Sequence, residues 1–117
     1  ILVRLIIKKE NAEFFYQSVR NSQTDIPVLT CAAARLADGC YRIAIGARPL
    51  KAVLHEFPAE NSVPAQELAL KCADAVKNDI ITGSNMRGSA EYRRHLAGVL
   101  TKRAVVELEA RTAQEEN

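Results

Sequence analysis

The sequence predicts an α+β domain, in which a small antiparallel β-sheet of three to four strands packs against a small helical bundle with a long C-terminal helix. Three observations favour this fold class. Extended runs rich in β-branched and aromatic residues fill the first half of the chain. An Asp38-Gly39 pair separates two of those runs, as in a β-hairpin. Two stretches with apolar residues at helical spacing fill the second half.

The first two strands of the sheet are predicted over residues 1–9 and 13–19. Residues 1–9 are mostly apolar and β-branched and end in charge, which indicates a strand that is buried on both faces or paired at an edge. Residues 13–19 hold three consecutive aromatic side chains, which favour a second short strand. The polar residues 21–25 follow, and Pro27 ends them, so a loop is predicted there.

A β-hairpin is predicted next, with strands over residues 28–37 and 40–46. The Asp38-Gly39 pair between them favours a type I′ turn, because that turn needs positive φ at both central residues. The second of these strands alternates bulky apolar residues with smaller or polar ones, as a half-buried strand does. A further extended segment is predicted over residues 50–57, after the break at Pro49.

Two helices are predicted in the second half of the chain. The first covers residues 65–77, where apolar residues recur at i, i+3, i+4, i+7, i+8 and i+11. The final helix begins at Ser89, whose hydroxyl can cap the first turn, and it runs to about residue 110. Gly98 within it indicates close approach of another backbone, because a mid-helix glycine costs about 1 kcal/mol relative to alanine. The polar residues 111–117 are predicted to fray.

The final helix combines an apolar stripe with a basic face. The stripe consists of side chains at i, i+4, i+7 and i+8, namely Tyr92, Leu96, Val99 and Leu100. Its basic side chains fall off that stripe and are expected on the solvent-exposed face or its edge: Arg93, Arg94, Lys102 and Arg103. A basic helix can dock on a protein or nucleic-acid partner. A non-catalytic interaction module that docks through this basic C-terminal helix is therefore the alternative function.

Composition and charge narrow the classes of function. The 117 residues are 48% hydrophobic and 26% charged, which is typical of one globular domain. Sixteen basic and fourteen acidic side chains leave a net charge of +2, which is too balanced to favour nucleic acid or membrane partners. No apolar run is long enough to span a bilayer and no secretory signal is visible, so we expect a cytoplasmic location. Because the chain begins with Ile1 rather than methionine, we expect a fragment of a longer polypeptide.

Metal binding and nucleophilic catalysis find little support in the sequence. The cysteines Cys31, Cys40 and Cys72 lack metal-ligand spacing and are expected to be reduced thiols, with Cys72 in the core. His55 and His95 lack ligand partners at i+3 or i+4. No catalytic residue and no metal site is therefore predicted.

The strongest local candidate for a binding site is the segment of residues 16–27. Tyr16 lies beside a polar loop that contains Arg20 and Asp25. A tyrosine ring can stack on a planar ligand, and its hydroxyl can bond to the edge of that ligand. A plain junction between a strand and a loop is the alternative interpretation.

The most specific motif of the chain is residues 87–100, with the sequence RGSAEYRRHLAGVL. It resembles the last helix of the FAD-binding medium subunit of molybdenum hydroxylases, the xanthine dehydrogenase and carbon monoxide dehydrogenase flavoprotein family. The whole chain, residues 1–117, resembles the C-terminal domain of that subunit in the order of its elements. These are a strand, an aromatic residue with a polar loop, a hairpin, a Gly-Ala-Arg-Pro corner, a helix and the motif itself. The family often has an acidic residue just before the motif, where this chain has Asn85.

The resemblance implies a role in electron transfer within a xanthine dehydrogenase-like oxidoreductase. In such complexes the flavoprotein subunit takes electrons from [2Fe–2S] clusters onto FAD and passes them to an acceptor such as NAD. The iron–sulfur clusters belong to a small subunit and the molybdopterin to a molybdenum-binding large subunit, so both subunits are implied partners. In the family the aromatic residue and its loop approach the isoalloxazine ring. By position, the implied cofactor-binding residues are Tyr16, Gln17, Asp25 and Ile26.

The resemblance also limits what the chain is expected to do alone. The glycine-rich segments that hold the FAD pyrophosphate in this family are absent from the sequence. We therefore expect the isolated fragment to bind FAD weakly or not at all and to have no turnover.

Overall fold

The computed structural model describes residues 1–7, 11–60 and 63–116, which form four strands and two helices. The strands are β1 (Ala12–Val19), β2 (Leu29–Leu36), β3 (Tyr41–Gly46) and β4 (Val53–Phe57). The helices are α1 (Ala65–Asp79) and the longer α2 (Ala90–Glu116). The predicted α+β class, with an antiparallel sheet and a long C-terminal helix, is confirmed.

The strands form an antiparallel sheet in the order β1-β2-β3-β4, so each strand pairs with the next along the chain. The predicted hairpin between β2 and β3 is confirmed, but the predicted type I′ turn is wrong. Gly39 has a φ of 95°, whereas Asp38 does not have a positive φ. The Gly39 N–H donates to the Leu36 carbonyl oxygen at 2.9 Å. This is the pattern in which a glycine in the left-handed region follows a type I turn.

The two faces of the sheet have different surroundings, because successive side chains of a strand point to opposite faces. In β3, Ile43 and Ile45 are buried, whereas Ala44 between them is not. α1 and α2 cover the face that carries these isoleucines. We call the opposite side the open face; its side chains include Phe14, Tyr16, Ala32, Ala44 and Leu54.

The hydrophobic core lies between the covered face and the two helices. β2, β3, α1 and α2 contribute fully or nearly fully buried apolar side chains to it, including Leu29, Ile43, Ile45, Leu68, Val76, Leu100, Val105 and Leu108, while β1 and β4 add partly buried ones. Burying one such side chain stabilises the fold by roughly 1.5–3 kcal/mol relative to its exposed state. Cys72 is part of this core, as predicted.

α1 and α2 pack closely where Gly98 faces the end of α1. A methyl group added at Gly98 would lie 3.7 Å from the Ala73 carbonyl oxygen and 3.6 Å from the Lys77 Cβ. These are ordinary van der Waals distances, so the helices come as near as a glycine or an alanine permits. The predicted close approach of another backbone at Gly98 is confirmed.

The predicted strand over residues 1–9 is wrong for residues 1–7, which form no strand and are exposed. Lys8 and Lys9 lie outside the described residues. β-branched residues favour strands because they fit a pleated, half-buried surface, rather than through the backbone alone. Residues 1–7 have no such surface around them within the described part of the chain.

The predicted fraying of residues 111–117 is also wrong for most of that segment, because α2 continues to Glu116. Arg111 anchors this end of the helix on β1. Its Nη1 donates to the Phe14 carbonyl oxygen at 3.0 Å, and its guanidinium lies 5.4 Å from the centre of the Phe15 ring. Asn117 lies outside the described residues. Neither described helix has the combination of length and hydropathy that crossing a bilayer requires.

Candidate functional site

Tyr16 stands on the open face, with 60% of its surface exposed. The strand register places it opposite Ala32, Ala32 opposite Ala44, and Ala44 opposite Leu54. Tyr16 therefore begins a row whose two central members are alanines. Because alanine side chains are short, the row is shallow in the middle of the sheet, beside the strand that carries Tyr16.

Gln17 lies on the covered face, because it follows Tyr16 directly on the strand. Its Nε2 donates to the Leu100 carbonyl oxygen of α2 at 2.8 Å. The structure thus places the side chains of Tyr16 and Gln17 on opposite sides of the sheet. The Gln17 side chain therefore contacts α2.

Asp25 is the anchor of the loop formed by residues 20–27. Its Oδ1 accepts hydrogen bonds from the Arg87 Nε at 3.2 Å and the Arg87 Nη2 at 3.1 Å. The same oxygen accepts from the Ile26 N–H at 2.7 Å, and the Asp25 carbonyl oxygen accepts from Arg20. The Arg87 hydrogen bond and the Ile26 amide hold the pKa of Asp25 below its usual value. With Asp25 engaged in this way, the apolar side chain of Ile26 projects into solvent, 62% exposed.

Arg87 reaches Asp25 from a tight turn formed by residues 83–88, immediately before α2. Asn85 and Gly88 pair across this turn through two backbone hydrogen bonds, of 3.0 and 3.2 Å. The Arg87 N–H donates to the Asn85 Oδ1 at 2.9 Å, and the Arg87 carbonyl oxygen accepts from Asn21 Nδ2 at 3.2 Å. Ser89 caps the helix by accepting from the Tyr92 N–H at 3.1 Å, as predicted.

Arg93 is 1% exposed, so its predicted place at the solvent-exposed face or its edge is wrong. Its guanidinium makes four hydrogen bonds to oxygen atoms. The Nε donates to the Val28 carbonyl oxygen at 2.9 Å, and the Nη2 donates to the Asn85 Oδ1 at 2.7 Å. The Nη1 donates to the carbonyl oxygens of Gly83 at 2.8 Å and Gly88 at 2.6 Å.

All four acceptors of Arg93 are neutral, so its charge is stabilised by dipoles rather than by a carboxylate. Burial lowers the pKa of Arg93, and the nearby Arg87 guanidinium lowers it further. A guanidinium nevertheless keeps its proton in proteins. Hydrogen bonds to a charged group contribute about 1.5–3 kcal/mol each, which offsets the cost of removing the charge from water.

The spacing of α2 explains why Arg93 is buried. Arg93, Leu96, Ala97 and Leu100 fall at i, i+3, i+4 and i+7, and all four are buried. The predicted stripe began instead at Tyr92, which is 45% exposed. The helical signal for a buried Arg93 was therefore present in the sequence. Sequence reasoning favours an aromatic residue over a charged one for such a stripe, because burying a charge without a carboxylate partner is rare.

Other reactive side chains of the described residues do not form a site. No group of three or more metal-ligating side chains occurs in residues 1–7, 11–60 and 63–116. Burial raises the pKa of both Cys31 and Cys72 to about 11, so these thiols stay protonated at neutral pH and are poor nucleophiles.

The basic part of α2 borders a different feature, an open groove of about 590 Å³ beside β1. Lys102 and Arg103 are exposed at its rim, while Phe15, Val99 and Val106 supply apolar walls. The groove lies on the helix side of the sheet, since Phe15 points to the covered face. It is thus separate from the open face that carries Tyr16.

Residues 14–108 match the family model described as the CO dehydrogenase flavoprotein C-terminal domain. Carbon monoxide dehydrogenase from Hydrogenophaga pseudoflava, in a form that lacks the Mo-pyranopterin moiety of its cofactor, has a similar fold, with a TM-score of 0.72 and 24% identity over 86% of this chain. Quinoline 2-oxidoreductase from Pseudomonas putida 86 gives a TM-score of 0.66 and 19% identity over 84% of this chain. This chain spans 37% of the length of each of those two chains. No curated protein matches it.

Proposed function

The chain belongs to the CO dehydrogenase flavoprotein C-terminal domain family, and on that premise we propose that it forms one wall of an FAD site in a molybdenum-hydroxylase oxidoreductase. The observation that carries this proposal is the open face around Tyr16. There an exposed aromatic ring stands beside a shallow row of alanines. The loop that follows β1 along the chain is fixed by Asp25.

These residues fit a planar ring system. Aromatic rings prefer offset stacking, which needs a flat approach to one side of the ring. Ala32 and Ala44 leave that approach open across the sheet, and the exposed Ile26 would add an apolar edge from the loop. When bound, FAD would supply the redox chemistry. The part of this chain would be to contact the ring system, exclude water from one side and hold the loop in place.

The wider role that we propose follows the family. The chain would act with a molybdenum-binding large subunit that holds molybdopterin and a small subunit that holds [2Fe–2S] clusters. Electrons would pass from those clusters to FAD and on to an acceptor such as NAD, as in a xanthine dehydrogenase-like enzyme, in the cytoplasm. The isolated chain would bind FAD weakly and would have no turnover, because its sequence lacks a glycine-rich phosphate-binding segment.

The test is the visible absorption spectrum of the full-length gene product. We expect a flavin spectrum that bleaches with dithionite. Tyr16→Ala should weaken flavin binding by about tenfold, because a lost aromatic stack is worth roughly 0.5–1.5 kcal/mol beyond its buried area. Tyr16→Phe keeps the ring and should bind nearly as well as the wild type.

Leu70→Ala is the matched control, since Leu70 is exposed on α1 rather than on the open face, and it should not change flavin binding. A well-folded, colourless full-length product would contradict the proposal. Equal flavin affinity in the wild type and Tyr16→Ala would contradict the placement of the ring at the open face.

The groove beside β1 favours the second candidate, an interaction module that docks through Lys102 and Arg103. These two functions can be separated by reversing both charges with Lys102→Glu and Arg103→Glu. A docking role predicts that this variant elutes without its partner subunits in size-exclusion chromatography, and that the wild type loses them as the salt concentration is raised. The flavin spectrum should be unaffected, because the groove and the open face are on opposite sides of the sheet.

A further inference from the structure

We propose that Arg93 and Arg87 are positioning residues that set the geometry of the 20–27 loop from inside the domain. Arg93 fixes the 83–88 turn, the turn presents Arg87, and Arg87 holds Asp25. We call Arg93, the 83–88 turn, Arg87 and Asp25 the arginine relay. The inference rests on the proposed function, because the loop is taken to face the flavin.

The inner end of the relay joins two segments that are distant in sequence. Arg93 bonds to Gly83, Asn85 and Gly88 in the turn and, through its Nε, to the Val28 carbonyl oxygen. Val28 also closes the loop at its far end, because its N–H donates to the Val19 carbonyl oxygen at 2.7 Å. One buried side chain therefore fixes both the turn that carries Arg87 and the end of the loop that carries Asp25.

The chemistry of the inner end requires a guanidinium. Four oxygen atoms surround Arg93, and its Nε, Nη1 and Nη2 each donate to at least one of them. A lysine would bring the same charge, but as a compact group on a flexible stem that cannot reproduce a planar fork. An apolar side chain would leave the acceptors without a donor.

The outer end of the relay is a partly exposed ion pair. The side chains of Arg87 and Asp25 are 27% and 31% exposed. Exposed pairs contribute little to the stability of a whole domain. Breaking this pair should therefore release the loop without unfolding the core. Replacing Arg93 should affect both the position of the loop and the stability of the core.

The close fit at Gly88 shows how little freedom the turn has. A methyl group added at Gly88 would lie 3.1 Å from the Val28 Cγ1 and 3.8 Å from the Arg93 Cζ. Val28 is fully buried, so it has little room to move away. The turn, the end of the loop and the Arg93 guanidinium thus constrain one another's positions. The loop attached to them therefore has a defined position relative to α2.

The experiment uses the full-length gene product and the variants Arg87→Gln, Asp25→Asn and the double variant. Hydrogen exchange of peptides that cover residues 20–28 reports on the loop, and flavin titration reports on the site. Each single variant should raise the exchange rate of the loop and the flavin dissociation constant by about threefold, the scale expected for a partly exposed ion pair. The double variant should match either single one, because both changes remove the same link.

Two further variants separate positioning from stability. Arg94→Gln is the matched control, since Arg94 is the exposed neighbour of Arg93 on α2, and it should change neither quantity. Arg93→Lys keeps the charge but loses the fork, and it should loosen both the loop and residues 83–88. If the Arg93 variant does not fold, the Arg87 and Asp25 variants test the positioning role on their own. Their melting temperatures should equal that of Arg94→Gln.

The outcomes distinguish this inference from the proposed function. A colourless wild type would overturn the proposed function and, with it, the role of the loop. A flavin-loaded wild type whose affinity is unchanged in Arg87→Gln and Asp25→Asn would overturn the relay alone. Additive effects in the double variant would also overturn it, because they would show that the two residues act separately.

Discussion

The two ends of α2 are stabilised in different ways. From Leu96 onward, apolar side chains such as Leu100 and Leu108 pack into the core, and Gly98 lets α1 approach closely. At the start of the helix, the buried side chain of Arg93 is held by four oxygen acceptors instead. The first arrangement depends on shape and burial, and the second on hydrogen bonds whose acceptors come from two separate segments. The apolar end should therefore tolerate similar shapes, while the polar end should require one specific chemical group.

The largest effect is expected in the apolar end. Leu108 is fully buried, so Leu108→Ala should lower the free energy of unfolding by about 4 kcal/mol through lost burial and the cavity left behind. Leu108→Met, which nearly conserves volume, should cost less than about 1.5 kcal/mol. Urea denaturation of both variants checks this prediction. A similar loss for the two substitutions would show that this end is not governed by shape.

The corresponding change in the polar end is Arg93→Met, which keeps a long side chain but removes all of its donors. We expect a loss of about 3 kcal/mol, because buried acceptors left unpaired cost roughly 1–3 kcal/mol each and some regain water. Arg94→Met at the exposed neighbouring position should change stability by less than about 0.5 kcal/mol. Equal stabilities of the two variants would show that the four hydrogen bonds around Arg93 have no net effect.

The two glycines of this region give a sharper comparison of the ends. Gly98→Ala should stabilise the protein by about 0.5 kcal/mol, because alanine has the better helix propensity and its methyl group has room at 3.6–3.7 Å. Gly88→Ala should destabilise it by about 1 kcal/mol, because the methyl group would lie 3.1 Å from the buried Val28. Thermal melts of both variants test the signs, and a shared sign would contradict the difference in packing.

The smallest effect concerns pH. Arg87 lowers the pKa of Asp25 in the folded state, so this carboxylate stabilises the folded loop at pH values above its unfolded pKa. The contribution is lost as the pH falls through the folded pKa. We therefore expect limited proteolysis within residues 20–27 to be constant above about pH 5 and to accelerate below about pH 4. The Asp25→Asn variant should be cleaved at the fast, low-pH rate of the wild type at every pH. If its cleavage instead accelerated at low pH as in the wild type, the assignment of the pH effect to Asp25 would be contradicted.

Hydrophobic periodicity predicted the part of the molecule where burial alone decides the structure. The hairpin, the first helix and the close approach at Gly98 all depend on patterns within a short window of sequence, and all three are confirmed. The strand predicted at residues 1–7 failed because β-propensity cannot supply a neighbouring strand. The end of α2 was predicted too short because its support, Arg111 on the backbone of Phe14, comes from the other end of the chain.

The candidate site was less accessible to sequence reasoning than the fold. The resemblance pointed to Tyr16, Asp25 and Ile26, and in the structure the side chains of Tyr16 and Ile26 are exposed to solvent. The structure places Gln17 beneath the sheet, where strand alternation alone would have put it. The role of Arg93 could not be predicted, because its acceptors at Val28 and Gly83 become neighbours only in the folded chain.

The bond between the Val28 N–H and the Val19 carbonyl oxygen, together with the Asp25–Arg87 pair, has a consequence for protein engineering. Both ends of the loop are attached to structure that lies outside it, and residues 22–24 between Asn21 and Asp25 are exposed. The side chains at these three positions can therefore be exchanged while the attachments are kept, including the hydrogen bond from the Asp25 N–H to the Ser22 carbonyl oxygen. Libraries confined to residues 22–24 would vary the surface of the loop and leave the packing of the domain unchanged.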